Sequence, residues 1–92
     1  MLTGKQKRNL RSHGNRLKPE VWIGREGVTS GSIQTVENSF NTKELLKIKV
    51  QENCPQKKEQ VAEIICNKTQ AELIQVLGNT FLLYRSLPEK DN

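Results

Sequence analysis

The sequence predicts a compact α/β domain with the element order α-β-α-β-α-β-β, in which a mixed four-stranded sheet packs against helices. Three observations lead to this fold class. The 92 residues suffice for one hydrophobic core and leave no room for a second. Segments with apolar residues at helical spacing alternate with short strand-like runs. The last two such runs are separated by Gly78-Asn79, a dipeptide suited to a tight antiparallel turn, so we expect crossover-linked parallel strands followed by a hairpin.

The first predicted helix covers residues 2 to about 17, with Thr3 as N-cap and Gln6 completing a capping box. Gly14 lowers helix propensity by about 1 kcal/mol relative to alanine. Lys18-Pro19 ends the segment, because the residue before a proline disfavours helical dihedrals. Steps of about 100° per residue separate two faces. The apolar stripe consists of Leu2, Gln6, Leu10, His13 and Leu17, and the basic stripe of Lys5, Lys7, Arg8 and Arg11.

The other elements follow from the same periodicities. We expect one domain over residues 1–88 and a polar tail over residues 89–92. The predicted elements are a strand over 20–23, a helix capped by Thr29 or Ser30 with Ile33, Val36 and Phe40 on one face, a strand over 46–51, a helix that starts near Pro55 and carries Val61, Ile64 and Ile65, and strands over 71–77 and 80–87.

Positive charge is concentrated at the amino-terminal end. The net charge is +5, and residues 1–30 carry seven basic and two acidic residues, whereas the remaining 62 residues carry eight of each. A solubilising surface usually mixes both signs. The segregation therefore favours a polyanionic partner, whose phosphates bind by releasing counterions. The alternative interpretation of the basic stripe is the ordinary solvated side of an amphipathic helix.

Several functional classes receive no support from the sequence. No apolar run reaches the length of a membrane span, and the first residues lack the apolar core of a signal peptide, so we expect a cytoplasmic protein without membrane contact. Cys54 and Cys66 are the only cysteines, and no second Cys/His pair completes a zinc site. We therefore expect no metal and no cofactor. His13 has no accompanying nucleophile pattern, so we interpret it as a packed or rim histidine and expect no enzyme.

A G-x-x-G loop, residues 24–27, separates the first strand from the second helix. Gly24 and Gly27 lack side chains, so the backbone can approach a ribose-phosphate strand. The following helix offers N–H donors at its N-terminus, and Arg25 adds a cation. Loops of this kind clamp backbone nucleotides in KH domains. An ordinary glycine turn is the alternative, but the neighbouring basic residues favour an RNA-binding loop.

Trp22 is the only tryptophan and lies on the face of its strand opposite Val21 and Ile23. It could stack on an unpaired base, and we include it among the candidate RNA-binding residues. Packing beneath a helix is the commoner position of a single tryptophan and is the interpretation we favour. Tyr84 and Arg85 are weaker candidates for the same role.

Five segments resemble, in order, the YhbY family of single CRM-domain proteins: LTGKQKRNLRS, LKPEVWIGREGVT, ELLKIKV, NCP and QVLGNTFLLYR. The resemblance implies an α/β domain similar to the C-terminal domain of translation initiation factor three, with RNA bound by the G-x-x-G loop and nearby basic residues. The bacterial members resemble large-subunit ribosome assembly factors, while plant relatives act in group II intron splicing.

Carried over to this chain, the resemblance assigns RNA binding to the loop and to the basic stripe of the first helix. Glu26 departs from the neutral or basic residue usual beside Arg25 and is expected to weaken phosphate affinity. His13 replaces a typically apolar residue and is expected to alter the packing of the helix. The predicted RNA-binding residues are Gly24, Arg25, Glu26, Gly27, Lys5, Lys7, Arg8, Arg11, Arg16, Lys18 and Trp22.

We therefore expect a monomeric RNA-binding protein that acts on large-subunit precursor rRNA, with no catalytic residues. The alternatives are an accessory factor for group II intron splicing and a basic domain that binds an acidic protein partner.

Overall fold

The computed structural model describes residues 2–87, which form three helices and a four-stranded sheet. The predicted fold class and element order are confirmed. The predicted polar tail, residues 89–92, lies outside the described residues. The elements are α1 (Gly4–Gly14), β1 (Val21–Ile23), α2 (Ser30–Phe40), β2 (Leu45–Val50), α3 (Lys58–Thr69), β3 (Glu72–Leu77) and β4 (Thr80–Tyr84).

The sheet is mixed and has the strand order β1-β2-β4-β3. β1 and β2 are parallel, as expected for strands joined through a helix. β4 is antiparallel to both β2 and β3. The strand that follows the second crossover, β3, therefore does not pair with β2, because β4 lies between them.

The hydrophobic core lies between the sheet and a layer formed by α2 and α3. α2 begins after Thr29, whose hydroxyl accepts the Ser32 N–H at 3.1 Å in a capping box, and the predicted cap is confirmed. β2 contributes alternate residues to the core, as its pattern predicts. The fully buried side chains of this core include Ile23, Val36, Phe40, Leu46, Ile48, Val61, Ile65, Phe81 and Leu83.

α1 packs on the other face of the sheet, against β2 and β3. Its predicted capping box at Thr3 is present. The helix ends at Gly14, earlier than predicted. A Cβ at Gly14 would overlap the side chain of Leu82 on β4, so glycine allows the helix to lie close to the sheet. The Lys47 ammonium donates to the carbonyls of Gly14 and Leu17, both at 3.2 Å, which supplies partners for the end of the helix.

α3 begins at Lys58, three residues later than the predicted start at Pro55. Residues 51–57 instead form a loop beneath the glycine loop. At the turn of the β3–β4 hairpin, Gly78 has φ +60°, and its carbonyl accepts a hydrogen bond from the Lys58 ammonium at 2.6 Å. The hairpin turn between β3 and β4 is therefore tied to the start of α3.

Candidate nucleic-acid interface

The glycine loop is a tight turn at the carboxyl end of β1. The Gly27 N–H donates to the Gly24 carbonyl at 2.9 Å, which places Arg25 and Glu26 at the tip of the turn. Both tip side chains are exposed, and they form no ion pair with each other in the described structure. The loop therefore presents a cation and a carboxylate side by side to solvent.

Gly27 is buried, which corrects the prediction that both glycines leave the backbone accessible. It has φ +68°, and a Cβ there would lie 2.7 Å from Oε1 of Gln56 and 3.4 Å from Cγ of Pro55. The same Gln56 oxygen accepts the Val28 N–H at 2.9 Å. Residues 55–56 thus support the loop from within the protein. Gly24 is half-buried, and a Cβ there would lie 2.5 Å from Oε1 of Gln51, so the Gln51 amide occupies the space that its missing side chain leaves.

The N–H groups that follow the loop are partly used by the fold. Val28 donates to Gln56, and the Thr29 N–H donates to the Ser32 hydroxyl at 2.8 Å. Helix geometry leaves the first N–H groups of α2 without partners inside the helix. Ser30 and Gly31, both exposed, therefore carry the N–H donors that an anion can reach.

Three of the four side chains of the predicted basic stripe are exposed. Lys5, Arg8 and Arg11 are exposed along α1. Lys7 is half-buried, contrary to its predicted outward position, because it shares a helical side with Leu10 and Gly14, and Gly14 faces the sheet. The side of α1 that packs on the sheet is therefore rotated from the predicted apolar stripe toward Lys7 and Gly14.

The connection between α1 and β1 contributes two more exposed cations, Arg16 and Lys18. His13 is exposed beside Leu10 and Leu17 at the edge of a groove, so it is a rim histidine. None of these residues forms an ion pair within residues 2–87.

One row of side chains across the sheet is left uncovered on the α1 face. Strand pairing aligns Trp22 with Lys49, Lys49 with Thr80, and Thr80 with Leu77. Residues paired directly across strands point to the same face. We call these four residues the open row. It lies at the end of the sheet that carries the glycine loop, since Gly24 follows β1 immediately.

α1 covers the adjacent row and stops at the border of the open row. The covered row contains Lys47, which caps the helix, and Leu82, which contacts Gly14. Gly14 and Asn15 share a small cavity with residues 77 and 80 of the open row. The open row therefore separates the end of α1 from the glycine loop.

Trp22 is 54% exposed, so the interpretation that it packs beneath a helix is wrong. α1 packs over β2 and β3 and leaves β1 at the uncovered edge of the sheet. Its neighbour Lys49 is also exposed, and sequence reasoning left this lysine unassigned. The signal was its alternation with the buried Ile48 and Val50, which places it on the same face as Trp22.

Arg85, a weaker candidate, has a structural role. Its guanidinium donates to the Glu37 carboxylate at 2.9 Å and to the Thr69 carbonyl at 3.0 Å, and it lies 4.9 Å from the centre of the Phe40 ring. The Tyr84 hydroxyl donates to Glu44 at 3.2 Å. Both side chains are therefore engaged within the protein.

The described residues offer no cluster of three or more His, Cys, Asp or Glu side chains that could hold a metal ion. Cys54 and Cys66 are free, half-buried thiols. Among the helices of residues 2–87, none has the length and apolar character needed to cross a membrane.

Comparison with known proteins agrees with this architecture. The family description "CRS1 / YhbY (CRM) domain" matches residues 2–85, which is nearly all of the chain. The chain belongs to the CRS1/YhbY (CRM) domain family. The family resemblance noted from the sequence motifs is therefore confirmed.

Two bacterial relatives and one solved structure match this CRM domain over most of their own length. The Bacillus subtilis protein named "Probable RNA-binding protein YqeI" is 39% identical over 89 residues, which cover 97% of this chain and 93% of that protein. A Haemophilus influenzae protein named "RNA-binding protein" is 34% identical over 88 residues, covering 96% and 89%. The solution structure of protein SAV1595 from Staphylococcus aureus superposes with a TM-score of 0.80 at 36% identity and covers 99% of this CRM domain and 95% of that chain.

Proposed function

We propose that this CRM-domain protein binds RNA as a monomer, through a surface that combines the glycine loop with the exposed cations of residues 5–25. The relatives that match it end to end carry names that describe RNA-binding proteins. The proposal depends on a contrast between the basic side chains before residue 30 and those after it, in whether the fold supplies them with hydrogen-bond or ion-pair partners.

Four of the seven basic side chains between residues 31 and 87 are engaged by the fold, whereas Lys49, Lys57 and Lys68 are exposed and form no ion pair. Lys43 pairs with Glu20, Lys47 caps α1, Lys58 binds the hairpin turn and Arg85 joins α2 to α3. The exposed cations of the amino-terminal third have no such partners in the described structure. Unpaired, exposed Lys and Arg side chains neutralise phosphates and release the counterions condensed on a nucleic acid, which is a main source of affinity. Those cations are Lys5, Arg8, Arg11, Arg16, Lys18 and Arg25.

The glycine loop adds groups that can fix where an RNA backbone lies on the basic surface. The N–H groups of Ser30 and Gly31 can donate to a phosphate at the N-terminus of α2. Arg25 at the tip adds a charged donor, which Glu26 opposes in part. Contacts of this type fix the register of a strand without reading its bases. We infer a binding protein that recognises phosphate geometry and performs no chemistry.

We further propose that the RNA is large-subunit precursor rRNA and that the protein is cytoplasmic. The support is the resemblance of the sequence motifs to bacterial members of the family, which look like ribosome assembly factors. A group II intron is the competing RNA, supported by the plant relatives. Crosslinking in cells followed by sequencing of the attached RNA distinguishes the two: precursor rRNA reads support the proposal, and dominant intron reads overturn it.

The binding surface is tested with substitutions of exposed cations. We expect Arg8→Ala/Arg11→Ala and Arg25→Ala to lower affinity for a structured RNA. The salt slope of log K should also fall, by about 0.7–0.9 for each phosphate that the variant no longer neutralises. Lys68→Ala is the matched control, because Lys68 is an exposed cation on α3, on the opposite side of the sheet.

Fluorescence anisotropy over a range of KCl concentrations measures both quantities, and circular dichroism checks that each variant is folded. Equal losses in the Lys68 control and the test variants would reduce the proposal to unspecific charge. Tight capture of an acidic protein together with no measurable RNA affinity would replace it with the protein-interaction alternative.

A further inference from the structure

The open row has the composition of a surface for unpaired nucleotides. Its two ends are large exposed apolar side chains, Trp22 at 54% and Leu77 at 63% exposure. Lys49 and Thr80 lie between them. Neighbouring strands are about 4.8 Å apart, so the row extends roughly 14 Å across the sheet. Exposed aromatic and basic residues side by side on a sheet are the combination that holds single strands by stacking and by phosphate contact.

Trp22 lines a concavity that also contains several side-chain amides. Lys49, Val50 and the loop after β2 line it together with Asn79 of the hairpin turn. The side chains of Gln51, Asn53 and Asn79 form no hydrogen bonds to other side chains or to backbone within residues 2–87. An amide side chain carries both a donor and an acceptor, as the edge of an unpaired base requires. Glu52 is the carboxylate among the lining residues, so the charge of the site is mixed at its rim.

Lys49 supplies the charge that a stacked nucleotide requires. It is exposed, aligned with Trp22 across the β1–β2 pair, and it has no ion pair in the described structure. The next lysine on the same face, Lys47, is committed to the end of α1. One lysine of the pair therefore completes the fold, and the other remains available beside the exposed indole.

We propose that Trp22 and Lys49 form a subsite for one unpaired nucleotide, in which the base stacks on the indole and the flanking phosphate binds the ammonium. This inference rests on the proposed RNA binding and names the RNA class: a strand whose backbone lies on the glycine loop and whose next base is unpaired. The position of Gly24 two residues after Trp22 puts the backbone contact and the stacking side chain at the same end of the sheet.

An unpaired base fits this surface better than a duplex or a protein groove. A double helix buries the faces of its bases, so it cannot cover an indole by stacking. A protein partner of the apolar kind would need a contiguous apolar patch. Here a lysine and a threonine interrupt the apolar ends, and amides surround them.

The single tryptophan makes the test direct. Indole fluorescence of the wild-type protein is titrated with a single-stranded polyuridine oligonucleotide and with a fully paired RNA hairpin of the same number of phosphates. Stacking quenches an indole, so we expect saturable quenching with the single strand and little with the hairpin. Tyr84 is engaged with Glu44 and emits separately from the indole.

The contributions of Trp22 and Lys49 to affinity are measured with variants, by the fluorescence anisotropy of labelled RNA. Trp22→Ala is expected to weaken single-strand binding about tenfold, and Trp22→Phe to retain most of it, because a stacking ring is kept. Leu73→Ala is the apolar control, since Leu73 pairs with Leu83 and lies on the opposite face of the sheet. Lys49→Met should lower affinity and the salt slope, with Lys68→Met as its control.

The outcomes separate this inference from the proposed function. The subsite is supported by saturable indole quenching, by loss of single-strand affinity in Trp22→Ala and by retention of that affinity in Trp22→Phe. If Trp22→Ala binds both RNAs with wild-type affinity while Arg8→Ala/Arg11→Ala loses affinity for both, the subsite is overturned and RNA binding stands. Absence of binding to either RNA by the wild-type protein overturns both. Stronger binding to the paired hairpin with an unchanged indole signal also overturns the subsite.

Discussion

Gly14 is the residue at which α1 comes closest to the sheet. Its Cα faces Leu82, which is 4% exposed and surrounded by other side chains, so the leucine has little freedom to move away. Alanine would raise helix propensity at this position by about 1 kcal/mol. The overlap acts in the opposite direction, and overpacking a buried site costs about 1–3 kcal/mol.

We therefore predict that Gly14→Ala lowers the free energy of unfolding, in spite of its better helix propensity. Urea denaturation measures the change. Gly4→Ala is the matched control, because no atom lies within 4 Å of a Cβ at this position of the same helix. Leu82→Ala should remove most of the additional loss in the double variant, since it makes room for the methyl group. A simple sum of the two single effects would contradict the contact.

Cys66 has a thiol whose proton affinity is altered by the fold. Burial raises the pKa of its thiol, and the negative charge of Glu72 raises this pKa further. The folded protein therefore holds the protonated thiol more strongly than the unfolded chain does. The corresponding stability is present below the pKa of the unfolded thiol and is lost as pH rises through the higher pKa of the folded state.

We predict that the alkylation rate of Cys66 by iodoacetamide rises with pH at a higher midpoint in the folded protein than in urea. Cys54→Ser isolates this thiol for the measurement. Glu72→Gln should move the midpoint down, because it removes the smaller of the two causes. The same midpoint in native and unfolded protein would contradict the effect of burial.

At the scale of elements, the end of α1 depends on a side chain from the sheet. Lys47 and Lys49 are chemically identical and two residues apart on β2, yet only the first donates to the carbonyls of Gly14 and Leu17. Hydrogen bonds from charged donors contribute more than neutral ones, about 1.5–3 kcal/mol each at most. The cap also places a positive charge at the negative end of the helix dipole.

We predict that Lys47→Met lowers the free energy of unfolding by about 1–2 kcal/mol. Lys49→Met should change it by less than about 0.5 kcal/mol, because the side chain is exposed and unpaired. Denaturation gives the energies, and amide hydrogen exchange over residues 10–14 shows whether the loss is located at the end of α1. Comparable destabilisation by both substitutions would rule out a specific cap.

The elements that sequence reasoning placed correctly are those specified by local chemistry. The capping boxes at Thr3 and Thr29 and the alternation in β2 depend on residues close together in the chain. The late start of α3 and the burial of Gly27 depend on a contact between residues 28 and 56. The exposure of Trp22 depends on which rows α1 covers. Such long-range packing leaves no periodic signal in a single sequence.

At the scale of the whole molecule, Arg85 joins the layers of the core. Its bonds to Glu37 and to the Thr69 carbonyl connect β4, α2 and the end of α3 at one point. The side chain is 19% exposed, so solvent screens these bonds less than those of a surface pair. Lys43 and Glu20, by contrast, form an exposed pair of the kind that contributes little to stability.

We predict that Arg85→Met destabilises the protein by about 1–2 kcal/mol, since methionine keeps the apolar contact with Phe40 and loses the charged hydrogen bonds. Lys43→Met should cost less than about 0.5 kcal/mol. Thermal unfolding at low and high salt compares them. A larger destabilisation by Lys43→Met would contradict the stronger contribution expected of the Arg85 hydrogen bonds.

The position of β4 has a consequence for biosynthesis. It is the last of the described strands in chain order, and it pairs with both β2 and β3. Until residues 80–84 leave the ribosome, β3 and the edge of β2 that faces away from β1 lack their native partner. The nascent domain therefore completes its sheet in a single late step, and the apolar residues of the earlier strands stay accessible to chaperones up to that moment.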